Sequence, residues 1–313
     1  MKIIFFGTPT FAVPFLSKLV HDSEIEVTAV VCQSDKPVGR KQILTPPPVK
    51  SFALDHNLQV LQPKTLKDES AAQSLTNLEA DLFVVVAYGK IIPKNILDLT
   101  PLGCINVHPS LLPKYRGPSP MQYAILNGDS QTAISIMLLD EGMDTGPVLA
   151  TEMIGLDDNE TYESLSKKVE LQGPKLLIQT LKRYQAGEIT PLEQDDSKAS
   201  ITKLLKREDG HIDWSKDMKS IDQQVRAFYP WPGTWSLWNR NNSELRLKII
   251  ELKPVDFKND LPPGTVKVDE DRLLIDCADG TLEITQIQPE GKPVMSAKDF
   301  IRGYQDVDET ILA

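Results

Sequence analysis

The sequence predicts a two-part α/β protein, with an N-terminal domain on a mostly parallel, Rossmann-like sheet and a small C-terminal β-barrel of OB-like type. Three observations carry this. Short apolar runs alternate with amphipathic helical stretches over residues 1–189. From 209 to 313 closely spaced strand-like runs follow one another without long helices between them. The 313 residues also suit two domains, at roughly 100–200 residues each.

Lys2–Phe6 is a continuous apolar run ending at Gly7-Thr8-Pro9, the mark of a strand buried on both faces. A helix follows, with Pro14 near its start and Phe15, Leu16 and Leu19 on one face. Val27–Cys32 is a second strand. Residues 34–50 read as an inserted loop rich in Pro and Lys, stiffened at its end by Pro46-Pro47-Pro48. Leu82–Ala87 and Cys104–Val107 are further buried strands, and Met121–Leu126 is a short helix closed by Asn127-Gly128-Asp129. Ala133–Leu139 and Val148–Ile154 are strands flanking a Gly-rich loop, 140–147. Residues 161–187 are helical, with Leu165, Val169, Leu176, Leu177 and Leu181 as the stripe, a restart at Gly173-Pro174 and a stop at Gly187. Residues 190–208 are polar and aperiodic and read as a linker. Beyond it Ser215 caps a helix that turns Met218, Ile221, Val225 and Phe228 inward. Strands are expected at 234–238, 244–252, 264–268, 272–276 and 281–288, with the tryptophans of 231–238 in the barrel core.

Hydrophobic residues make up 41% and charged residues 25%, so a disordered or fibrous chain is excluded. No apolar run approaches the roughly 20 residues of a membrane span. Gly7-Thr8-Pro9 breaks the apolar N-terminus too early for a signal peptide, so a cytoplasmic protein without membrane partners is expected. Cys32, Cys104 and Cys277 are odd in number and widely spaced, which fits three small buried hydrophobes. The net charge of −10 argues against nonspecific coating of phosphates and leaves room for local basic patches. Two stretches qualify. Lys36, Arg40, Lys41 and Lys50 face one Asp35 in 34–50, and Lys198, Lys203, Lys206 and Arg207 face one Glu208 in 198–208. Taken alone, each also reads as a solvated face.

The first βα turn, Gly7-Thr8-Pro9-Thr10, lacks the three glycines that let a backbone approach a pyrophosphate, which disfavours NAD. His21, His56 and His211 have no ligand spacing, and no cysteine pair exists, so no metal is expected. The informative segment is Asn106-Val107-His108-Pro109-Ser110-Leu111-Leu112-Pro113-Lys114-Tyr115-Arg116-Gly117. Asn106 and His108 are two apart on a strand and so point to one face, at the carboxyl end where open α/β sheets bind ligands. An amide donor and an imidazole together suit a carbonyl becoming an oxyanion. Asp144, between Gly142 and Gly146, can turn toward His108. With no nucleophilic Ser or Cys in the set, this implies direct transfer. Spacing alone leaves structural roles open: a satisfied histidine, a turn-capping Asn106, a turn-forming Asp144.

These segments, with Asp144-Thr145-Gly146, resemble the signature of the folate-dependent formyltransferases. The resemblance implies the formyltransferase type of sheet, formyl transfer from the cosubstrate 10-formyltetrahydrofolate to an amine, and Asn106, His108 and Asp144 as catalytic residues. It also implies folate contacts at Ser110, Leu111, Leu112 and Pro113, and a pteridine pocket walled by Val86, Tyr88, Gly89 and Ile91. Gly7-Thr8-Pro9, Asp35-Lys36-Pro37-Val38-Gly39-Arg40, Asp213-Trp214 and Pro230-Trp231-Pro232-Gly233-Thr234-Trp235 are similar to the members that act on initiator methionyl-tRNA, over nearly the whole chain. That similarity implies a monomer with tRNA contacts at Lys36, Arg40, Lys41, Lys203, Lys206 and Arg207. A relative using a nucleotide-sugar amine, or one hydrolysing the formylfolate, would share the catalytic set without needing the basic loop and the barrel.

Overall fold

The computed structural model describes residues 1–39, 41–255 and 261–313. The chain divides into two compact units. One comprises Met1–Pro120, Gln131–Gly155 and Ser166–Thr202, the other Met121–Ser130, Leu156–Leu165 and Lys203–Ala313.

The first unit is built on β1 (Lys2–Gly7), β2 (Glu26–Val31), β5 (Gln59–Leu61), β6 (Leu82–Val86), β7 (Cys104–His108), β8 (Gln131–Leu138) and β9 (Val148–Gly155), in the spatial order β5-β2-β1-β6-β7-β8-β9. The strands from β5 to β7 pair in parallel, whereas β8 and β9 join antiparallel. Ile3, Ile4, Phe5 and Phe6 are fully buried, as a strand covered on both faces demands. Helices α1 (Val13–Val20), α2 (Pro48–Asp55), α3 (Glu69–Thr76) and α4 (Lys94–Leu97) form the crossovers.

The stretch 34–50 is more ordered than a loop. It holds a hairpin of β3 (Lys36–Val38) and β4 (Ile43–Thr45), and Pro48 opens α2 instead of ending a coil. Proline suits that position because the first helical N–H groups have no intrahelical partner. Arg40 lies outside the described residues.

The chain continues through α5 (Pro120–Leu126) and α6 (Tyr162–Gln185). The expected restart at Gly173-Pro174 does not occur, and α6 runs through Pro174. The interior proline costs about 3 kcal/mol, offset by the burial of Val169, Leu177 and Leu181. Gly173 is needed there because a Cβ would stand 2.6 Å from the Phe15 ring.

The second unit carries β10 (Thr234–Arg240), β11 (Ser243–Val255), β12 (Val266–Asp269), β13 (Arg272–Asp276), β14 (Thr281–Pro289) and β15 (Met295–Ser296), all paired antiparallel, with helices α7 (Met218–Phe228) and α8 (Ala297–Gly303). The last residues link the two sheet edges. Leu237 of β10 exchanges both backbone hydrogen bonds with Ala313, and Val266 of β12 donates to Thr310 and accepts from Glu309. The cap of α7 is Asp217, which accepts from the Ser220 N–H, rather than Ser215, whose hydroxyl donates to Asp213. Trp238 lies in the core, but Trp235 is half-buried and Trp231 is 49% exposed. Positions 235 and 238 are an odd number apart on β10 and so face opposite sides. Among the described residues no helix is long and apolar enough to cross a membrane.

Candidate active site

The site forms where β7 ends. Asn106 pairs with Val85 of β6 and Met137 of β8, and His108 with Ser135 of β8. Two residues apart on one strand, both side chains leave the sheet on one face. The Asn106 amide is half-buried and has no hydrogen-bond partner among the described residues.

His108 is 4% exposed, with its Nε2 2.9 Å from the Tyr115 carbonyl. A carbonyl only accepts, so Nε2 carries a proton and donates it. Nδ1 then faces the Asp144 carboxylate, 3.5 Å from Oδ2, longer than an ordinary N–H···O bond. That oxygen accepts from the Gly117 N–H at 2.7 Å. The ring is thus oriented by Tyr115, with a carboxylate waiting beside its other nitrogen.

The turn after β7 holds this arrangement. Ser110 is fully buried and its hydroxyl donates to the Lys114 carbonyl at 2.6 Å, while the Ser135 hydroxyl donates to the Ser110 carbonyl at 2.7 Å. The Leu112-Pro113 bond is cis. Tyr115 (φ +62°), Gly117 (φ +106°) and Asp144 (φ +53°) all have left-handed backbones, a region that disfavours side chains and needs support from its surroundings. Such support comes from residues 194–202. The Ser200 carbonyl accepts from the Arg116 N–H, the Ser200 hydroxyl from the Tyr115 N–H, and the Arg116 carbonyl from the Thr202 N–H.

The expected folate residues divide in two. Leu111 is 36% exposed and Ile91 89% exposed, both on segments leaving the carboxyl ends of neighbouring strands. Leu112 is 9% exposed, Pro113 is half-buried, and Val86 is buried at the end of β6. Gly89 is exposed, with a left-handed φ of +78°. Tyr88, by contrast, turns its ring into the core against Phe6, while its carbonyl accepts from Thr8 and Gln33. Burial pushes its phenol up to about 12, so it exchanges no proton near neutral pH. Burial also pushes the Cys32 thiol up to about 11 and raises Cys104 and Cys277; all three are free and buried.

Among the expected RNA contacts, Lys36 on β3 is exposed and donates to the Gln33 amide, and Lys41 is exposed. In the second unit Lys203 is exposed but paired with Asp209, and Lys206 and Arg207 are exposed. Among the described residues no cluster of three or more His, Cys, Asp or Glu side chains could hold a metal ion.

Arg116 and Gln194 were not among the expected site residues. Arg116 is 6% exposed and joins Gln194 and Asp196. Its place in the Tyr115-Arg116-Gly117 run was a signal, but Gln194 sits in a polar, aperiodic stretch that nothing distinguishes.

Fold and site define a group-transfer protein, with an amide, an imidazole and a carboxylate at the carboxyl end of a mostly parallel sheet and an antiparallel β-domain following in the chain. A model described as formyl transferase matches residues 1–181, and one described as formyl transferase, C-terminal domain, matches residues 204–305. The chain belongs to the formyl transferase family. It is 43% identical over 306 residues to the methionyl-tRNA formyltransferase of Roseiflexus castenholzii, covering 97% of this chain and 96% of that protein. It is 42% identical over 307 residues to that of Caldicellulosiruptor saccharolyticus, covering 97% of each. Among solved structures, HypX from Aquifex aeolicus in complex with tetrahydrofolic acid shares the fold, with a TM-score of 0.64 at 16% identity over 99% of this chain and 48% of that one.

Proposed function

We propose that this protein transfers the formyl group of 10-formyltetrahydrofolate to the α-amino group of methionyl initiator tRNA, acting as a cytoplasmic monomer. One observation carries the chemistry: the Asn106 amide, without a hydrogen-bond partner among the described residues, stands on the same strand face as His108, whose Nδ1 faces Asp144 at 3.5 Å. The near-complete coverage by relatives that bear the methionyl-tRNA formyltransferase name supports the acceptor.

The donor fits the residues present. The exposed Leu111 and Ile91 offer apolar surface to a flat pterin, and the Asn106 amide can donate to the formyl oxygen. The neutral α-amine attacks the formyl carbon, and a C–N bond forms as the carbonyl oxygen becomes an oxyanion. Asn106 donates to that oxyanion, a contact type worth about 2.7–4 kcal/mol in comparable sites. Nε2 of His108 is committed to Tyr115, so Nδ1 is the nitrogen that takes the proton from the new ammonium. Asp144 stabilises the imidazolium. The proton then passes to N10 of the folate as the old C–N bond breaks, and the imidazole is neutral again. Lys36, Arg40, Lys41, Lys203, Lys206 and Arg207 contact tRNA phosphates, which lets a chain of net charge −10 bind RNA locally.

Mass spectrometry of methionyl-tRNA after incubation with the enzyme and 10-formyltetrahydrofolate tests this. The expected product carries one formyl group on the methionyl amine. Formylation of a nucleotide-sugar amine, or release of free formate with the tRNA untouched, overturns it.

A further inference from the structure

We propose that Gln194 is a positioning residue for Asp144, acting as a polarity-coded clasp between that loop and Arg116. The inference rests on the catalytic reading of Asp144 given above. Both ends of the Gln194 amide are fully used. Its Oε1 accepts from Arg116 Nε at 3.0 Å and Nη2 at 2.9 Å. Its Nε2 donates to the carbonyls of Asp144 at 2.8 Å and Gly146 at 2.7 Å. An amide has two acceptor lone pairs and two donor hydrogens, and all four are engaged.

The clasp closes a ring around the site. Tyr115, just before Arg116, holds His108 Nε2 through its carbonyl, and Gly117, just after it, holds the Asp144 carboxylate through its N–H. Gln194 ties the Arg116 side chain to the backbone of Asp144 itself. The imidazole sits at the end of β7 and the carboxylate on a separate loop, and their 3.5 Å separation depends on that loop keeping station against the turn after β7. Asp144 also has a left-handed φ, so its backbone relaxes once the two carbonyls are released. A misplacement of about 1 Å in a reacting group can cost about 100-fold in rate.

The chemistry requires a neutral amide. A glutamate at this position keeps Arg116 but turns a carboxylate oxygen on two carbonyl oxygens, which repel it. Gln194→Glu is therefore expected to lower kcat for formyl transfer by about 10- to 100-fold, with KM for both substrates within about threefold, and Gln194→Ala by about 10-fold. Asp196→Asn removes an 81% exposed partner of Arg116 and leaves the clasp, so its kcat stays within about twofold of the parent. Thermal melts accompany each variant. If Gln194 only adds stability, both Gln194 variants keep the parent kcat and shift the melting temperature alone, which overturns the proposal. Should Gln194→Glu not fold, the Gln194→Ala and Asp196→Asn pair still decides, because equal kcat in the two sinks the clasp. Asp144→Asn in the same assay separates the levels. Full activity there refutes the site itself, whereas a large loss there beside intact Gln194 variants refutes only the clasp.

Discussion

Asp144→Asn probes the centre of the mechanism with the least structural damage. Asparagine has the same shape and can still offer a carbonyl oxygen to the Gly117 N–H now bonded at 2.7 Å, so the loop is held. What disappears is the negative charge beside His108. Opposite unit charges 3.5 Å apart interact by about 5 kcal/mol at an effective dielectric of about 20, the value suited to sites near a protein surface. The imidazole acquires its charge only as it takes the proton, so roughly half of that interaction is realised in the transition state. At about 1.4 kcal/mol per decade, kcat falls on the order of 100-fold. Single-turnover formyl transfer at saturating methionyl-tRNA and 10-formyltetrahydrofolate reads this step directly, and a thermal melt checks the fold. A loss below threefold, or a raised KM with kcat unchanged, refutes the assignment of Asp144 to the imidazolium.

Three further outcomes are expected. Asn106→Ala lowers kcat by about 100- to 1,000-fold, the cost of one oxyanion donor; because the amide has no described partner, urea unfolding stays at the parent midpoint. Arg40→Ala weakens formylation of methionyl-tRNA, most at low salt and less as salt rises, while folate binding by fluorescence titration is unchanged; equal loss of both would make Arg40 a fold residue. The hydrogen bonds from Lys50 and Gln62 hold the Asp35 carboxyl below its ordinary 3.8. Its stabilisation is therefore complete above that value and is lost as pH falls through the lowered folded-state pKa. Parent and Asp35→Asn then differ in urea stability at neutral pH and converge in acid, and a gap that persists in acid would refute the pairing.

The site owes its compactness to two loops that the sheet alone does not restrain. β7 delivers Asn106 and His108 on a rigid element, but the carboxylate and the carbonyl that orient the imidazole come from residues with left-handed backbones. Gly146 makes the second loop possible, because a Cβ there would lie 2.0 Å from the Leu138 carbonyl. Residues 194–202 then fasten both loops through backbone groups of Tyr115, Arg116, Asp144 and Gly146.

Much of this was written in local pattern. The period-two spacing of Asn106 and His108, the unbroken apolar runs of β1 and β6, and the Asp-Gly turn at 279–280 each depend on neighbours in sequence, and the strands formed where those neighbours placed them. Tyr88 shows where local pattern ends. The family resemblance implied it as pocket wall, whereas its ring packs among apolar partners around Phe6. Pro174 marks the same limit, since its helix-breaking tendency was overruled by burial along α6. Which nitrogen of His108 faces Asp144, which residue orients the ring, and what Gln194 bonds to were decided only when residues 36, 7 and 78 positions apart, on different elements, came together. A hydrogen bond is satisfied by whichever complementary group the folded chain brings within 3 Å, and sequence carries that distance only for residues that share an element.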